Sequence, residues 1–542
     1  MAISRETRIP VEILDTTLRD GAQAEGISFS INDKFAILES LVSIGVSYIE
    51  AGNPGSNPKD REFFSKYTQR APQMDDTRLA AFGSTKRKDV LPADDSNLQA
   101  ILEANTSVVV IFGKVWDMEV REILRITPED NLNLIADTVS YMLENGRRVI
   151  FDAEHYFEAY KANPDYAISC MQAAVSAGAE CLVLCDTNGS AMPDTVGGCV
   201  AEAVARFPGI RIGIHCHNDC GLAVANSVIA VQAGATHVQG TFNGIGERCG
   251  NANLASIIGN LQAKLGYSCI PDARLARLTP ITRRLADIAN LSLPSGEPFV
   301  GTSAFSHKAG MHVDAIKKNS STYEHVDPEA VGNNRRFLIS EISGRSAVLD
   351  VVRRIRPDID KNSPEVSRIL DRMKALEHQG YQFEGAAASQ DLLVCKELGL
   401  YEPFFHLEKL RISSEQPVIG DFSAHSYIKI LVGGVDEVTA AEGAGPVNAM
   451  DRALKKAMEV FYPELSDLRL TDYKVRVLNA AATASCVRVL IETTDGTDIW
   501  TTVGVSTDIL EASWLALVDS IEYKLMIQKL HNTQAGSAGG NA

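Results

Sequence analysis

The sequence predicts an α/β protein: a TIM (β/α)8 barrel followed by a mostly helical linker region and a C-terminal α+β regulatory domain. Eight short apolar runs alternate with stretches of helical spacing over roughly the first 260 residues, which is the number and size expected of such a barrel. No GxGxxG motif follows any of these runs, which disfavours a doubly wound dinucleotide-binding sheet.

Each run is largely apolar instead of alternating, as is typical of parallel strands covered by helices. Between the first two runs, Phe35, Leu38, Leu41 and Val42 recur at helical spacing. The predicted strands are VEILDTT (11–17), VSYIEAG (46–52), RLAAFGS (78–84), SVVVIFG (107–113), RRVIFDAE (147–154), CLVLCDT (181–187), RIGIHCH (211–217) and HVQGTFN (237–243).

The strand–helix rhythm stops near residue 295, so we assign 1–295 to the barrel. Residues 296–410 begin with a segment rich in Gly, Ser and Pro and continue as a helical region. In 411–530, strand-like runs lead into a helix twice, which predicts a separate α+β domain. The tail 531–542 is small and polar, and we predict that it is disordered.

Composition limits the classes of protein. The 542 residues carry a net charge of −17, which argues against nucleic-acid or anionic-membrane partners, because both attract clustered Lys and Arg. The ten cysteines form no CxxC pair, and reduced thiols are the simplest interpretation. The start lacks an apolar signal segment, and no run approaches a membrane span. These features predict a cytoplasmic protein.

Polar side chains stand at the ends of several predicted strands, and the carboxyl ends of TIM-barrel strands face the active site. They are Arg19 and Asp20 after strand one, Asp152 and Glu154 at strand five, Asp186 and Thr187 at strand six, and His215 and His217 at strand seven. The segment NGIGERCGNANL follows strand eight.

His215 and His217 project to the same side, because alternate residues of a strand do so. Two imidazoles at a barrel rim form half of a metal site. Strand eight pairs with strand one in a closed barrel, so Asp20 can reach both histidines, and Asn251 can offer a carbonyl oxygen. We predict that these four residues bind a metal and that Arg19 is a cation beside it.

Each candidate also has a structural interpretation. A lone HxH pair is more often structural than metallic, and Arg19 can form a rim salt bridge with Asp20. Glu154 can pair with a rim lysine or arginine. Asp186 with Thr187 can cap the helix that follows.

The predicted ligands leave coordination positions open, which suits a metal that binds two substrate oxygens and polarises a carbonyl. A 2-keto acid offers such a pair in its keto oxygen and one carboxylate oxygen. An adjacent arginine can then stabilise the carboxylate and the alkoxide that develops on attack. The pattern therefore predicts chemistry on a 2-keto acid.

The motifs DTTLRDGAQ, HCHND and GIGERCGNANL together resemble the DRE-TIM metallolyase superfamily. FSHKAGMHVDA is similar to its Claisen-condensing branch, the isopropylmalate synthase/homocitrate synthase family, and TAAEGAGPVNA resembles that family's C-terminal regulatory (allosteric, dimerisation) domain. Isopropylmalate synthases usually read LRDGEQ, and here Ala22 departs from that pattern. Together with AGNPGSNPKD and FGKVWD, this departure resembles the citramalate synthase type.

The resemblance implies a Claisen condensation of acetyl-CoA with pyruvate, thioester hydrolysis to (R)-citramalate and CoA, and a place in isoleucine biosynthesis. It also implies an amino-acid effector, isoleucine first, and a homodimer with shared active sites. The implied residues are the ligands of a divalent Mn, Mg or Zn ion (Asp20, His215, His217, Asn251), substrate-binding Arg19, Gln23 and Thr187, and catalytic Arg19, Glu154, His312 and Tyr323. Glu154 and His312 are the acid–base candidates, and the sequence does not say which takes the proton.

Four rivals remain. A 2-isopropylmalate synthase would take 2-ketoisovalerate for leucine biosynthesis. A lyase of the same superfamily generally lacks a region like 425–530, and a metal-dependent hydrolase normally carries its HxH on strand one. An inactive barrel serving as an amino-acid sensor is disfavoured by the intact set of predicted ligands.

Overall fold

The computed structural model describes residues 8–70, 73–308, 310–337, 345–360, 363–415, 423–478, 485–496 and 498–538. The chain forms two compact units: one runs to Phe305 and also takes in 324–335, and the other comprises 306–323 and the chain from Arg336 onwards. Residues 296–305 and 324–335 therefore pack with the barrel, beyond the boundary at 295 that the sequence suggests.

The first unit is a closed barrel of eight parallel strands in sequential order, as predicted. Strand β8 closes the barrel on β1, with Leu14 opposite Gln239. The strands are β1 (Glu12–Asp15), β2 (Tyr48–Glu50), β3 (Arg78–Ser84), β4 (Val108–Lys114), β5 (Arg148–Glu154), β6 (Cys181–Asp186), β7 (Arg211–Cys216) and β8 (His237–Gly240).

Helices surround the barrel, and local signals place their ends. Ser30 and Asp33 form a capping box at the start of α1, and Pro128 occupies the first turn of α5. The helices are α1 (Ile31–Ile44), α2 (Pro58–Arg70), α3 (Ser96–Glu103), α4 (Asp117–Glu119), α5 (Pro128–Glu144), α6 (Tyr156–Ala162), α7 (Pro164–Ser176), α8 (Pro193–Arg206), α9 (Ala223–Gln232), α10 (Leu254–Ile258) and α11 (Leu278–Ile288).

Apolar side chains form two concentric layers in this unit. Leu14, Tyr48, Val110, Ile150 and Val183 fill the inside of the barrel. The alternate strand residues point outwards and pack against the helices in a much larger cluster. Burial on both faces explains why the strands read as continuous apolar runs.

Lys34 of α1 is almost fully buried. Its ammonium donates to the carbonyl oxygens of Leu18 (3.2 Å) and Ala51 (2.8 Å) and to the Asp60 carboxylate (2.5 Å), so its three hydrogens are all used. Leu18 and Ala51 lie in the segments that leave β1 and β2. This one cation therefore ties two neighbouring rim segments together.

The segment AGNPGSNPKD is shaped around the same carboxylate. Asp60 also accepts a hydrogen bond from the backbone nitrogen of Asn53 at 2.8 Å. Gly52 has a φ of +142°, and a Cβ at that position would lie 2.3 Å from the Asp60 carboxylate. Glycine is required there because the carboxylate fills the space that a side chain would need.

The second unit contains a short parallel pair, helices and two antiparallel three-stranded sheets. Each sheet is followed by a helix, so the predicted doubling of a strand–helix pattern is confirmed as two βββα halves. The elements are β9 (Ser306–His307), α12 (Gly310–Lys318), β10 (Arg336–Phe337), α13 (Arg345–Ile355), α14 (Pro364–His378), α15 (Ala387–Glu397), β11 (His406–Glu415), β12 (Ser423–Val432), β13 (Val435–Gly443), α16 (Pro446–Met458), β14 (Arg469–Val477), β15 (Val487–Thr494), β16 (Ile499–Ser506) and α17 (Ile509–Ala538).

Two features of this unit differ from the sequence prediction. Strands β11 and β13 were not predicted, because both are edge strands, largely exposed, with too few apolar residues for an apolar run. Helix α17 continues to Ala538, so residues 531–538 are helical where we predicted a disordered tail. Once a helix has nucleated, each further residue adds a hydrogen bond at little cost, which carries α17 into the polar tail. Among the described residues, no helix has the length and apolarity needed to cross a membrane.

We predict that Lys34→Met destabilises the barrel by about 3–5 kcal/mol, because the substitution leaves Asp60 buried without its cation. Urea unfolding followed by far-ultraviolet circular dichroism measures the change. The matched control is Lys66→Met on α2, which breaks an exposed pair with Glu62 and should cost less than about 1 kcal/mol. Equal losses in the two variants would contradict the role given to Lys34.

Candidate active site at the carboxyl end of the barrel

A cavity of about 220 Å³ opens at the carboxyl ends of the barrel strands. Most of its lining is polar, at the end of a barrel whose interior is apolar. The lining residues are Arg19, Asp20, Gln23, Phe82, Phe112, Asp152, Glu154, Cys185, Thr187, His215, His217, Glu247 and Arg248. The cavity therefore gathers seven residues that the sequence analysis singled out for the site: Arg19, Asp20, Gln23, Glu154, Thr187, His215 and His217.

Arg19 is held from several sides at the edge of this cavity. Its guanidinium donates to Asp20 through Nη1 and to Glu50 through Nε, and it lies 3.8 Å from the centre of the Phe82 ring. Burial raises the pKa of Glu50 to about 7, although Arg19 acts in the opposite direction. Arg19 therefore has little freedom to turn away from the cavity.

Glu50 is a residue that the sequence analysis missed. It is fully buried at the end of β2, with no exposed surface. A signal for it exists in the sequence, since this glutamate closes an otherwise apolar strand, SYIEAG, at the end that faces the active site.

A hydrogen-bonded chain fixes the His215 ring. The side-chain nitrogen of Gln239 donates to Asp152 (2.9 Å), so the amide oxygen faces His215 Nδ1, also at 2.9 Å. His215 Nδ1 must then carry the proton, and Nε2 presents its lone pair 3.8 Å from Asp20 Oδ2. Burial lowers the pKa of His215, which favours the neutral ring that a metal ligand needs.

Four neighbouring side chains suit a divalent cation. His217 and Asn251 pair through their backbones, and the His215 and His217 ring centres are 5.3 Å apart. Buried polar atoms without a hydrogen-bond partner remain on Asp20 (Oδ2), His217 (Nδ1) and Asn251 (Oδ1 and Nδ2). Burial and the neighbouring His215 lower the pKa of His217 to about 3, so this ring is neutral as well.

A bound cation would satisfy the orphaned carboxylate oxygen, imidazole nitrogen and amide oxygen, but not Asn251 Nδ2, which is a hydrogen-bond donor. Across the described ranges, however, no three His, Cys, Asp or Glu side chains already form a metal-binding group. One of the four predicted ligands, Asn251, offers an amide and is not one of these four residue types. Another, the Asp20 carboxylate, is hydrogen-bonded to Arg19. The chemistry of the donors fits a metal, and the four residues remain a prediction.

The other predicted residues lie in three settings. Glu154 forms an ion pair with Lys114 at 2.6 Å, and the Thr187 hydroxyl accepts a hydrogen bond from the backbone of His155 at 2.9 Å. His312 and Tyr323 belong to the second unit, where their rings stack with centres 4.1 Å apart. Asp186 accepts from the backbone nitrogens of Ser190 and Ala191 in the turn after β6. It does not cap the helix that follows, because the N-cap of α8 is Met192, without a side-chain cap.

Phe82 and Phe112 are further cavity residues that sequence reasoning missed. Their rings stack with centres 5.2 Å apart and planes 13° apart, at the ends of β3 and β4. The two rings form the apolar part of the cavity wall, and the Arg19 guanidinium lies over the Phe82 ring. Their position at a strand end was the available signal, but aromatic residues in apolar runs usually indicate only core.

Comparisons with known proteins match the whole architecture. A family model described as HMGL-like matches residues 10–283, one described as homocitrate synthase post-HMGL domain-like matches 299–381, and the LeuA allosteric (dimerisation) domain matches 384–525. The chain therefore belongs to the HMGL-like family.

Relatives that match nearly the whole chain show to which part of the HMGL-like family it belongs. The (R)-citramalate synthase of Aquifex aeolicus is 48% identical over 95% of this chain and 98% of its own, and that of Geobacter sulfurreducens is 49% identical over 95% and 97%. A probable 2-isopropylmalate synthase of Methanopyrus kandleri is 31% identical over 94% and 97%. Within the HMGL-like family, the chain is a member of the (R)-citramalate synthase family.

Proposed function

We propose that this protein is an (R)-citramalate synthase, which condenses acetyl-CoA with pyruvate and hydrolyses the thioester to give citramalate and CoA for isoleucine biosynthesis. The observation that carries the proposal is near-full-length identity of 48–49% to (R)-citramalate synthases. The clamped Arg19 in a cavity of about 220 Å³, enough for a small keto acid, supports it. Ten free cysteines suit a reducing cytoplasm.

In this mechanism Asp20, His215, His217 and Asn251 hold a divalent cation, which supplies Lewis-acid polarisation of the keto group when it is bound. Arg19 binds the pyruvate carboxylate and stabilises the negative charge that develops on the keto oxygen. Gln23 and Thr187 complete the binding surface.

The acid–base candidates are Glu154 and His312, and Tyr323 is a further catalytic residue. A base removes a methyl proton from acetyl-CoA, and the resulting carbanion attacks the keto carbon to form the new C–C bond. The keto oxygen then gains a proton, and water cleaves the thioester, which makes the sequence irreversible. Because His312 and Tyr323 lie outside the barrel unit, we further propose a homodimer in which they complete the partner's active site.

The alternative, 2-isopropylmalate synthesis, requires room for an isopropyl group beside the keto carbon. The stacked Phe82 and Phe112 rings occupy the apolar side of the cavity, which favours a methyl group there. An inactive barrel that only senses amino acids has no need of the clamp on Arg19. We therefore retain pyruvate as the substrate.

The direct test is release of the CoA thiol from acetyl-CoA in the presence of pyruvate, with and without chelator. We expect chelation to abolish activity reversibly. Asp20→Ala and His217→Ala should lower activity more than about 100-fold, since losing a residue that only hydrogen-bonds to a metal ligand already costs about 10–100-fold. Metal content should fall in both variants. Asp194→Ala, at an exposed position in the first turn of α8, is the control. Full activity after exhaustive chelation would exclude the metal.

Substrate choice provides a second prediction. Wild-type kcat/KM should be higher for pyruvate than for 2-ketoisovalerate, whereas 2-ketobutyrate should fall behind only by about 10–200-fold, the discrimination that one methylene gives. Phe112→Ala should shift the ratio toward 2-ketoisovalerate by enlarging the pocket, and Phe112→Leu should shift it less. A wild-type preference for 2-ketoisovalerate would instead identify an isopropylmalate synthase.

Regulation is proposed for the C-terminal domain, whose family model is named for allostery and dimerisation. A depression of about 1040 Å³ between β13 and α16 is lined by charged and small residues, including Glu442, Arg452 and Lys455. An amino acid carries both charges that such a surface can pair. Isoleucine is the first effector to test, as the end product of the proposed pathway.

We predict that isoleucine inhibits thiol release by the full-length protein and raises its melting temperature, because a ligand that binds the folded state stabilises it. The full chain should be used, since Val503 of β16 packs in one core with α13–α15, and truncation would expose that core. Leucine and valine at equal concentration are the controls. No response to any of the three would refute amino-acid regulation of this kind.

A further inference from the structure

The proposed mechanism gives no role to the segment FGKVWD, residues 112–117, apart from Phe112. Lys114 is the last residue of β4, and Glu154, opposite it in the register, is the last residue of β5. The Lys114 ammonium lies 2.6 Å from Glu154 Oε2 and 2.8 Å from Glu119 Oε1. The Lys114 ammonium is thus shared between two carboxylates, Glu154, which lines the cavity, and Glu119.

The surrounding contacts hold Lys114 in this position. Its carbonyl oxygen accepts a hydrogen bond from the Asn131 side chain at 2.8 Å, which fixes the end of β4. The side chains of Lys114, Glu119 and Glu154 are 20%, 11% and 23% exposed, so water screens the pair only partly. A partly desolvated pair in a fixed geometry interacts more strongly than an exposed one.

The cavity that Glu154 lines also holds the charged side chains of Arg19, Glu247 and Arg248. Further titratable groups near Glu154 belong to the elements around it. Lys114 belongs to β4, Glu119 to α4 and Cys185 to β6, and His155 lies at the start of α6. Carboxylates at Glu119, Glu154 and Glu158 surround His155, and they raise its pKa against the effect of burial. Among the described residues, Lys114 is the only cation within ion-pair distance of Glu154.

We propose that Lys114 is a positioning residue that holds the Glu154 carboxylate at the cavity wall, so that Glu154 accepts the proton in the condensation. This inference rests on the proposed function. In the step, the methyl C–H bond of acetyl-CoA breaks and its proton passes to Glu154. The electron pair forms the new C–C bond to the keto carbon, and the carbonyl π pair moves to the keto oxygen, which later gains a proton.

Two substitutions give opposite predictions for the acid limb of the kcat/KM profile, which reports the free enzyme. Lys114→Met removes the cation beside the carboxylate that accepts the proton, so the limb moves up by about one pH unit or more. Glu119→Gln removes the competing carboxylate, so the cation serves Glu154 alone and the limb moves down. If the substitutions only loosened the site, the acid limb would shift in the same direction in both variants.

Three controls separate charge from folding. Lys114→Arg keeps the cation and should leave the limb within about half a unit of wild type, since only loss of the charge gives the larger shift. Lys161→Met removes an exposed cation from the nearby helix α6 and should not move it. Lys114→Cys should behave like Lys114→Met until treatment with 2-bromoethylamine restores an ammonium group, and treated wild type controls for the other thiols.

The outcomes are distinct. A limb that rises in Lys114→Met, falls in Glu119→Gln and returns after aminoethylation supports the inference. If Lys114→Met does not fold by circular dichroism, the Cys variant before and after aminoethylation decides the question. An unmoved limb, or shifts of the same sign in both variants, overturns the role of Lys114. Absence of condensation in wild type with every 2-keto acid overturns the proposed function instead.

Discussion

Closure of the barrel between β8 and β1 is the constraint on which the whole site depends. Four residue pairs join these strands, from Glu12–His237 to Asp15–Gly240. This pairing places the start of the chain beside β8 and β7, so that Asp20 comes within 3.8 Å of His215 although nearly 200 residues separate them. Without that closure, Asp20 would not be a neighbour of the two histidines.

The second constraint is electrostatic. Three buried carboxyl groups, Asp15, Glu50 and Asp152, lie at the same end of the barrel, and burial raises the pKa of each. Arg19 contacts Glu50 directly, and Gln239 donates to Asp152. Burial favours the neutral form of these carboxyl groups, so several of them can lie close together. The fixed Arg19 guanidinium offsets the negative charge that remains.

The strands and the two histidines could be predicted because both are local signals: a continuous apolar run, and two imidazoles at alternate positions of one strand. Gln239 and Lys114 could not, because their roles depend on which strands are neighbours and in which register. The partner of Glu50 depends on the same register, although its place at a strand end was visible in the sequence. The edge strand β11 was missed for a different reason, since only Leu410 and Ile412 of its ten residues are partly buried against the core, too few for an apolar pattern. The periodicity of a sequence indicates which residues are buried, whereas the roles of these residues depend on which strands pair.

Lys34 and Lys114 each hold neighbouring segments together at the rim of the barrel. Each ammonium stands between two neighbouring strands, Lys34 across the segments that leave β1 and β2, and Lys114 across the ends of β4 and β5. A lysine suits both positions because its compact charge can donate in three directions at once, whereas the planar guanidinium of arginine demands a flat arrangement of acceptors. Arg19 meets its flatter partners, Glu50 and the Phe82 ring, at the cavity itself. The choice between lysine and arginine at this rim therefore follows from the geometry of the acceptors. The two lysines fix the rim segments, and Arg19 lines the cavity.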